Sequence, residues 1–249
     1  MRMGTKVKNR KNHVIFTYQK KSYRYDDIYN LIKIIKYDTA KICDYKVIEV
    51  TDENDKDAIC ILFQQTHGKL DWLHNLAFSP LPKWGYKGHE FNLLYHRGFY
   101  LEYKYARDKI LQNVSELLKG HVKKIFVSGW SLGGSIAPIC AEDIYYTFGI
   151  KPTLITFEGA NPCFGFHTRN RVKNSIADDS ICFVYGKDVV SRVPPFAFGF
   201  IKLYPYIYYL KEKKRLPWLF PIIRSIYYFF KDTYRTHTQV DIGIKKLMP

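Results

Sequence analysis

Acidic side chains are scarce in this sequence. Its 249 residues contain 23 aspartates and glutamates against 39 lysines and arginines, which gives a formal net charge of +16 at pH 7. A charge excess of this size attracts nucleic acid, acidic lipid surfaces or acidic substrates, although a solvated basic surface without a partner has the same composition. Because zinc-finger spacing and helix-turn-helix patterns are both missing, we expect no nucleic-acid partner.

Cysteines are few, odd in number and widely spaced. The five lie at positions 43, 60, 140, 163 and 182, several of them inside apolar runs. This pattern predicts buried free thiols in a reducing compartment rather than a disulfide framework. The basic, polar residues 1–11 are not followed by the apolar segment of a secretory signal. We therefore expect a cytoplasmic protein, peripheral to a membrane if it binds one.

Features that divide a chain into domains are also lacking. There is no serine- and glycine-rich linker, no internal repeat and no long low-complexity tract, and 47% of the residues are hydrophobic. This length and composition suffice for one domain with a sizeable core. We predict a single domain over residues 1–249.

Strand and helix patterns alternate along the chain. Apolar spacing predicts helices over residues 25–37 and 98–118, and another from residue 132 to about 145. Apolar runs predict strands over residues 43–51, 58–64, 122–128, 152–158 and 180–185, with a mixed loop from residue 66 to about 95. The alternation predicts an α/β fold with a mainly parallel sheet and helices on its faces.

Residues 129–133, G-W-S-L-G, follow an apolar strand and precede a helix that begins with small residues. This context is typical of the G-x-S-x-G nucleophile elbow, in which the serine Oγ points away from the sheet. Side chains two positions either side of Ser131 would collide in so tight a turn, which explains Gly129 and Gly133. The helix N-terminus offers the N–H of Leu132 to a developing oxyanion. A glycine-rich turn in a non-catalytic protein is the alternative.

A serine nucleophile needs a base and an orienting carboxylate, and in hydrolases of this architecture the acid precedes the histidine. Asp188 comes just after the predicted strand 180–185, at the sheet edge where α/β sites gather. Asp178 and Asp179 precede that strand and are expected at the opposite edge. The pattern favours Asp188 as the acid, although an ordinary turn residue would look the same.

Two histidines follow Ser131 in the sequence, His167 and His237. His167 precedes Asp188 and would break the expected order, so the order favours His237 as the base. An ordinary surface histidine near the C-terminus is the alternative. A second oxyanion donor is expected just after an early strand, where Thr66 follows the strand 58–64.

Six motifs between residues 58 and 237 resemble, in order, those of the class 3 (fungal-type) lipases of the α/β-hydrolase superfamily. They are residues 59–66 (I-C-I-L-F-Q-Q-T, resembling a strand that ends in F-R-G-T/S), 71–76 (D-W-L-H-N-L, resembling D-W-x-x-D-L), 96–99 (H-R-G-F, matching H-x-G-F), 129–134 (G-W-S-L-G-G, matching G-H-S-L-G-G), 156–159 (T-F-E-G, resembling T-F-G) and 188–195 (D-V-V-S-R-V-P-P, resembling D-P-V-P-x-x-P-P).

The resemblance implies an α/β-hydrolase fold with a mainly parallel central sheet and helices on both faces. It also implies a catalytic triad of Ser131, Asp188 and His237, with Thr66 and Leu132 as oxyanion donors. No metal or organic cofactor is needed for this chemistry. The expected activity is hydrolysis of a lipid ester, of the lipase or phospholipase A type.

The resemblance further suggests that the loop from residue 67 to about 82 acts as a lid, with Trp72 and Leu73 in contact with substrate. We group Trp130 with these residues, although it replaces the histidine usual before the serine and should change the packing beneath the elbow more than the chemistry. Two other departures are the glutamines at 64–65, in place of arginine and glycine, and Pro138, which should kink the helix.

An aromatic and basic insertion spans about residues 196–230. Lysine, arginine and prolines interrupt its two apolar halves, so neither supplies the roughly 20 apolar residues of a transmembrane helix. Aromatic rings beside cations suit an anionic membrane surface, whereas an acyl-pocket wall would also be aromatic. Two other functions fit the sequence: a short-chain esterase or thioesterase, and a non-catalytic membrane-binding protein with a hydrolase fold.

Overall fold

The computed structural model of the chain describes residues 13–64, 80–82, 93–119, 124–184, 190–203 and 207–209. The elements up to the first long helix are β1 (Val14–Tyr18), β2 (Lys21–Arg24), α1 (Ile28–Ile34), β3 (Asp38–Ala40), β4 (Cys43–Asp52), β5 (Asp57–Phe63), β6 (Pro80–Pro82), β7 (Leu94–His96) and α2 (Arg97–Leu118). The later elements are β8 (Lys124–Trp130), α3 (Leu132–Phe148), β9 (Thr153–Phe157), β10 (Cys163–Phe164), α4 (Gly165–Ser175), β11 (Ile181–Val184), the 3-10 turns Val190–Arg192 and Phe196–Phe198, β12 (Phe200–Ile201) and β13 (Ile207–Tyr209).

Nine of the described strands form the central sheet. Their order is β13-β11-β9-β8-β5-β4-β1-β2, and β3 pairs with β4. Neighbours are parallel from β5 to β13 and antiparallel from β5 to β2. A small antiparallel sheet of order β12-β10-β7-β6 lies apart from it. The strand that leads to Ser131 is therefore in the parallel half of the central sheet, flanked by β5 and β9.

Alternating side chains of β5 show how both faces of the central sheet are covered. Ile59, Ile61 and Phe63 belong to the core that contains the buried faces of α2 and α3. Ala58, Cys60 and Leu62 belong to a second core that contains the buried face of α1. A strand buried on both faces is continuously apolar, as this one is. The predicted layers, with helices on both sides of the sheet, are confirmed.

The regular structure that was not predicted from the sequence includes the short strands β3, β6, β7, β10, β12 and β13, the hairpin β1–β2 and helix α4. The hairpin β1–β2 lies at the antiparallel edge of the sheet. Helix α4 has only three buried residues, Thr168, Val172 and Ser175. Because two of them are polar, α4 lacks the apolar period that identifies a helix in a sequence.

Predicted boundaries differ from the structure mainly at α1. This helix spans seven residues instead of the predicted 25–37, because Ile35 has extended backbone dihedrals that end it. Asp27, which precedes the helix, accepts hydrogen bonds from the N–H and Nε of Arg24 rather than capping the first turn. Helix α3 continues past Pro138 to Phe148.

Two acidic side chains buried in α3 join it to the neighbouring helices. Asp143 accepts hydrogen bonds of 2.7 Å from both Tyr103 Oη and Arg107 Nε on α2. Glu142 accepts a hydrogen bond of 3.1 Å from Arg171 Nε on α4. Both carboxyl side chains are fully buried, so the bonds supply the charge compensation that burial requires. They fix the helix that follows Ser131 between α2 and α4.

All five cysteines are buried and free of disulfide bonds, which confirms the predicted state of the thiols. Burial raises the pKa of Cys43, Cys60, Cys163 and Cys182, and the carboxylates near Cys43 and Cys163 add to the shift. The thiolate, which is the reactive form, is therefore disfavoured at these positions. Within the described ranges, every helix is too short or too polar to cross a bilayer.

Candidate active site at the turn after strand β8

Ser131 occupies the turn between β8 and α3 in an uncommon backbone conformation. Its dihedral angles are φ 57° and ψ −118°, a combination that costs energy for a residue with a side chain. Its N–H donates a 2.8 Å hydrogen bond to the carbonyl oxygen of Phe157 at the end of β9. The side chain is buried, and among the described residues no partner hydrogen-bonds to Oγ. A strained, buried serine at a strand end is the geometry of a nucleophile elbow.

Glycines flank this turn because the main chain of the turn lies in direct contact with the main chain of neighbouring segments. A Cβ on Gly129 would overlap the carbonyl group of Gly133, and a Cβ on Gly133 would lie 2.6 Å from the carbonyl carbon of Phe63. Real Cβ atoms do not approach backbone so closely, so the predicted steric need for glycine at both positions is confirmed. On the other side, a Cβ on Gly134 would lie 3.0 Å from Gly159 Cα. The first turn of α3 therefore packs closely between the ends of β5 and β9.

Two polar residues that were not predicted as site residues, Ser135 and Asn161, connect the elbow to the segment after Asp188 by hydrogen bonds. Ser135 Oγ donates to the carbonyl oxygen of Ser131 at 3.2 Å and accepts from the N–H of Ala160 at 2.8 Å. Asn161 donates through its N–H to Val193 and through Nδ2 to Pro194, both at 2.8 Å. The sequence contained a signal for the role of Ser135, because a residue four positions after the nucleophile lies on the same face of the helix.

Leu132 is the first residue of α3 and is nearly fully buried. An N–H in the first turn of a helix has no acceptor within that helix. It also lies at the positive end of the helix dipole, which favours negative charge. The position fits an oxyanion donor, and that role stays a prediction.

Trp130 ends β8 and packs against helix α1. Its ring meets the ring of Tyr29 edge-on, with centroids 5.5 Å apart. The ammonium group of Lys33 lies 4.6 Å from the Tyr29 centroid and 5.6 Å from that of Trp130. Trp130 therefore belongs to the sheet face that α1 covers, opposite α3. Its role in substrate binding stays a prediction, and the structure shows it in the packing beneath the elbow.

His96, in the H-R-G-F motif, is buried among aromatic rings. Its imidazole stacks on Phe99 with centroids 4.1 Å apart and lies 5.5 Å from the ring of Phe200. Desolvation lowers the pKa of His96 to about 4. Its main-chain N–H donates a 2.8 Å hydrogen bond to Pro162, in the same segment as Asn161. This neutral histidine fixes β7 against the segment that supports the elbow.

Comparisons with known proteins agree with this geometry. The model of the family described as Lipase (class 3) matches residues 60–198, more than half of the chain. The chain belongs to the class 3 lipase family. The resemblance drawn from the six motifs is thereby confirmed.

A lipase from Rhizomucor miehei is 27% identical to this class 3 lipase family member over 176 residues, which are 68% of this chain and 46% of that protein. The chain thus spans about half the length of this curated relative.

Two solved fungal-type lipase structures share the fold. A fungal lipase–inhibitor complex, described as a model for interfacial activation, is 26% identical, with a TM-score of 0.55 and coverage of 67% of this chain and 62% of that one. A triacylglycerol lipase whose catalytic centre is a serine protease triad is 23% identical, with a TM-score of 0.57 and coverage of 72% and 66%. The predicted α/β-hydrolase fold is confirmed.

Five residues predicted for the site of this class 3 lipase family member lie outside the described residues: Thr66, Trp72, Leu73, Asp188 and His237. The strand ends nearest to two of them are described. Phe63 of β5 pairs with Gly129 of β8, so β5 ends beside the elbow three residues before Thr66. β11 ends at Val184, four residues before Asp188, and β9 separates it from β8. The carboxyl ends of these parallel strands share one sheet edge.

Glu158 is a buried carboxyl residue at the same edge. It follows Phe157 directly, has a positive φ of 52°, and donates its N–H to the carbonyl oxygen of Phe183 at 2.9 Å. In the sequence this residue stands out only as part of the T-F-E-G motif. A buried carboxyl residue one strand away from Ser131 is a second candidate for interaction with a catalytic base.

Proposed function

We propose that this chain is a serine carboxylic-ester hydrolase that acts on lipid esters. The observation that supports it best is Ser131, held at φ 57° on the turn between β8 and α3 in a member of the class 3 lipase family. The relatives named above include a lipase and a triacylglycerol lipase with a serine triad. A glycine-rich structural turn would not require a buried serine in this costly conformation.

The proposed reaction begins when His237 takes the Oγ proton of Ser131 and Oγ attacks the ester carbonyl carbon. The carbonyl electron pair moves onto oxygen, where the N–H of Leu132 and Thr66 stabilise the negative charge. The intermediate collapses and expels the alcohol, which receives the proton from His237. His237 then takes a proton from a water that attacks the acyl carbonyl carbon, the bond from that carbon to Ser131 Oγ breaks to release the carboxylic acid, and Oγ takes the proton back from His237. Asp188 keeps the imidazole oriented throughout. The proposed steps use no metal or organic cofactor.

The substrates proposed are acyl esters of glycerol, in triacylglycerols or in phospholipids, presented at a lipid surface. Trp72 and Leu73 are proposed to contact substrate as part of a lid, and Trp130 to support the binding site from below. A short-chain esterase or thioesterase would instead prefer monomeric substrate. Comparing emulsified long-chain esters with soluble short-chain esters separates these two functions.

The central experiment compares Ser131→Ala with Ser22→Ala, an exposed serine on β2. We expect Ser131→Ala to abolish ester hydrolysis and labelling by a serine-reactive fluorophosphonate, while Ser22→Ala keeps both. Full turnover by a folded Ser131→Ala variant would contradict the proposal. If folded wild-type protein is neither labelled nor active on any ester, the non-catalytic membrane-binding function is favoured instead.

A further inference from the structure

We infer that Tyr29, on helix α1, is a positioning residue for Ser131. Its ring contacts the residue before Ser131 and also the residue whose carbonyl oxygen binds the Ser131 N–H. Tyr29 therefore holds the main chain of the candidate nucleophile from the sheet face opposite α3. As far as turnover is concerned, this inference rests on the proposed function. The hold on the Ser131 main chain is nevertheless measurable in a protein that hydrolyses nothing.

Three aromatic residues lie side by side across the ends of three parallel strands. Trp130 of β8 pairs with Phe157 of β9, and Phe157 pairs with Phe183 of β11. We refer to Trp130, Phe157 and Phe183 as the aromatic row. Because side chains alternate along a strand, partners in register project to the same face of the sheet, and this row packs in the core on the α1 side. The rings of Phe157 and Phe183 stack with centroids 5.0 Å apart and planes inclined at 6°.

The main chain of the aromatic row holds the turn that contains Ser131. Trp130 directly precedes Ser131, and the carbonyl oxygen of Phe157 accepts the 2.8 Å hydrogen bond from the Ser131 N–H. The carbonyl oxygen of Phe183 accepts a bond of 2.9 Å from the N–H of Glu158. A shift of the Trp130 or Phe157 ring would therefore move main-chain atoms to which Ser131 is bound.

Tyr29 contacts two members of the aromatic row at once. Its fully buried ring meets Trp130 edge-on at 5.5 Å and lies 5.4 Å from the ring of Phe157. Lys33, one turn later in α1, places its ammonium group 4.6 Å from the Tyr29 centroid and 5.6 Å from that of Trp130. Aromatic pairs and cation–π contacts of this geometry are attractive. Tyr29 is thus the point at which α1 holds the row.

The conformation of Ser131 requires support on both faces of the sheet. A residue with a side chain keeps a φ of 57° only where its surroundings over-determine its position. On the α3 side, the close approach of Gly133 to the main chain of Phe63 supplies this constraint. On the opposite side, the constraint comes from the aromatic row and from Tyr29 beneath it.

This contact is particular to the chain. Tyr29 lies outside residues 60–198, the range that the family model matches. Trp130 stands where a histidine is usual before the nucleophilic serine. An imidazole is smaller than an indole and would meet Tyr29 over a smaller area. We therefore treat Tyr29 and Trp130 as a pair whose two rings act together.

The test compares three substitutions in the full chain. Tyr29→Leu removes the ring that contacts the aromatic row, and Tyr29→Phe keeps a ring there. Tyr23→Leu is the matched control, because Tyr23 is buried in the same core and stacks on Phe16 with centroids 5.4 Å apart. Tyr23 lies on β2, which β1, β4 and β5 separate from β8. Urea unfolding verifies that each variant is folded and compares the losses of stability.

We expect Tyr29→Leu to lower kcat on a soluble ester by about tenfold and to change KM by less than about twofold. A nucleophile displaced by a fraction of an ångström attacks less efficiently even when substrate still binds. Tyr29→Phe should keep the wild-type kcat, and Tyr23→Leu should keep it despite a similar loss of stability. Equal kcat values for Tyr29→Leu and Tyr23→Leu would show that Tyr29 is ordinary core packing and would overturn the inference.

Trp130→His tests whether Tyr29 acts through Trp130. It should lower kcat by about the same factor as Tyr29→Leu, and the two changes together should cost little more than either alone, since both remove one contact. Losses that multiply in the double variant would show that the two residues act independently, which contradicts the inference. If Tyr29→Leu does not fold, the comparison of Trp130→His with Tyr23→Leu decides the same question.

Hydrogen exchange separates this inference from the proposed function. The Ser131 N–H is protected by its bond to Phe157, and NMR measures its exchange residue by residue. We expect exchange to be at least about tenfold faster in Tyr29→Leu than in Tyr23→Leu. If the wild type hydrolyses no ester but the variants show this difference, the positioning role is supported and the enzyme function is wrong. If the wild type is active but exchange and kcat are equal in both variants, the positioning role is wrong and the enzyme function stands.

Discussion

The main-chain N–H of Ser131 is bonded at 2.8 Å to the carbonyl oxygen of Phe157, on the neighbouring strand. The candidate nucleophile is therefore held by β9 as well as by its own strand. The next residue, Glu158, is buried with a positive φ. Two carboxyl residues thus come after adjacent strands at the same edge of the sheet: Glu158 after β9 and Asp188 after β11. Substitutions at these two positions distinguish their roles.

If Asp188 orients His237, Asp188→Asn should lower kcat on a soluble ester by about four orders of magnitude, because the imidazole loses its tautomer and orientation. Glu158→Gln, which keeps the size of the side chain, should lower kcat by less than about tenfold in the same assay. The reverse ranking, in variants with wild-type unfolding curves, would assign the orienting role to Glu158.

Gly133→Ala should destabilise the protein by about 1–3 kcal/mol and reduce ester turnover, because the new methyl group would overlap the backbone of Phe63. The measurement is urea unfolding together with the ester assay. Gly149→Ala is the control, since Gly149 has a φ of 70° but no atom within 4 Å of an added Cβ. It should cost about 1–2 kcal/mol through backbone strain alone and leave turnover intact. Wild-type turnover by Gly133→Ala would show that the elbow can shift without loss of function.

The bond between the buried carboxyl group of Asp143 and the partly exposed guanidinium of Arg107 predicts a large effect on stability. Asp143→Asn should cost about 3 kcal/mol or more in urea unfolding, because the guanidinium of Arg107 loses the carboxylate that compensates it. Asp108 also contacts Arg107, at 3.1 Å, but its side chain is 92% exposed. Asp108→Asn should therefore change stability little. Similar losses in the two variants would mean that burial does not decide the strength of these pairs.

Burial of His96 predicts a pH dependence of stability. Its pKa is about 4 in the folded protein against 6.5 for an unperturbed histidine, so the unfolded chain binds more protons between these values. Stability should therefore fall by about 3 kcal/mol through this group as the pH decreases from 6.5 to 4. His96→Gln should flatten the unfolding free energy across that range, whereas exposed His167→Gln should not. Parallel curves for wild type and His96→Gln would refute the assignment.

Prediction from the sequence succeeded best for features whose residues are close together along the chain. The elbow could be predicted because the strand, the turn glycines and the small residues of α3 are contiguous and sterically coupled. Strands β5 and β9 were apparent because burial on both faces makes them continuously apolar. Helix α4 could not be predicted in this way, because its buried side is formed by Thr168, Val172 and Ser175.

The contacts that hold the candidate site in place were harder to predict, because they join residues that are far apart in the sequence. The bond from Asn161 to Pro194 spans 33 residues, and no local pattern marks it. The packing of Trp130 against Tyr29 likewise depends on the placement of α1. Order along the chain was enough to nominate Asp188 and His237, since that reasoning requires no coordinates. Their roles stay predictions.

The burial of all five native cysteines has a practical consequence. A cysteine introduced at Ala197, an exposed position between Phe196 and Phe198, would be the accessible thiol of the folded protein. It would accept a maleimide fluorophore without removal of any native cysteine. The emission of that single dye would then report, in real time, whether this part of the molecule passes from water into lipid.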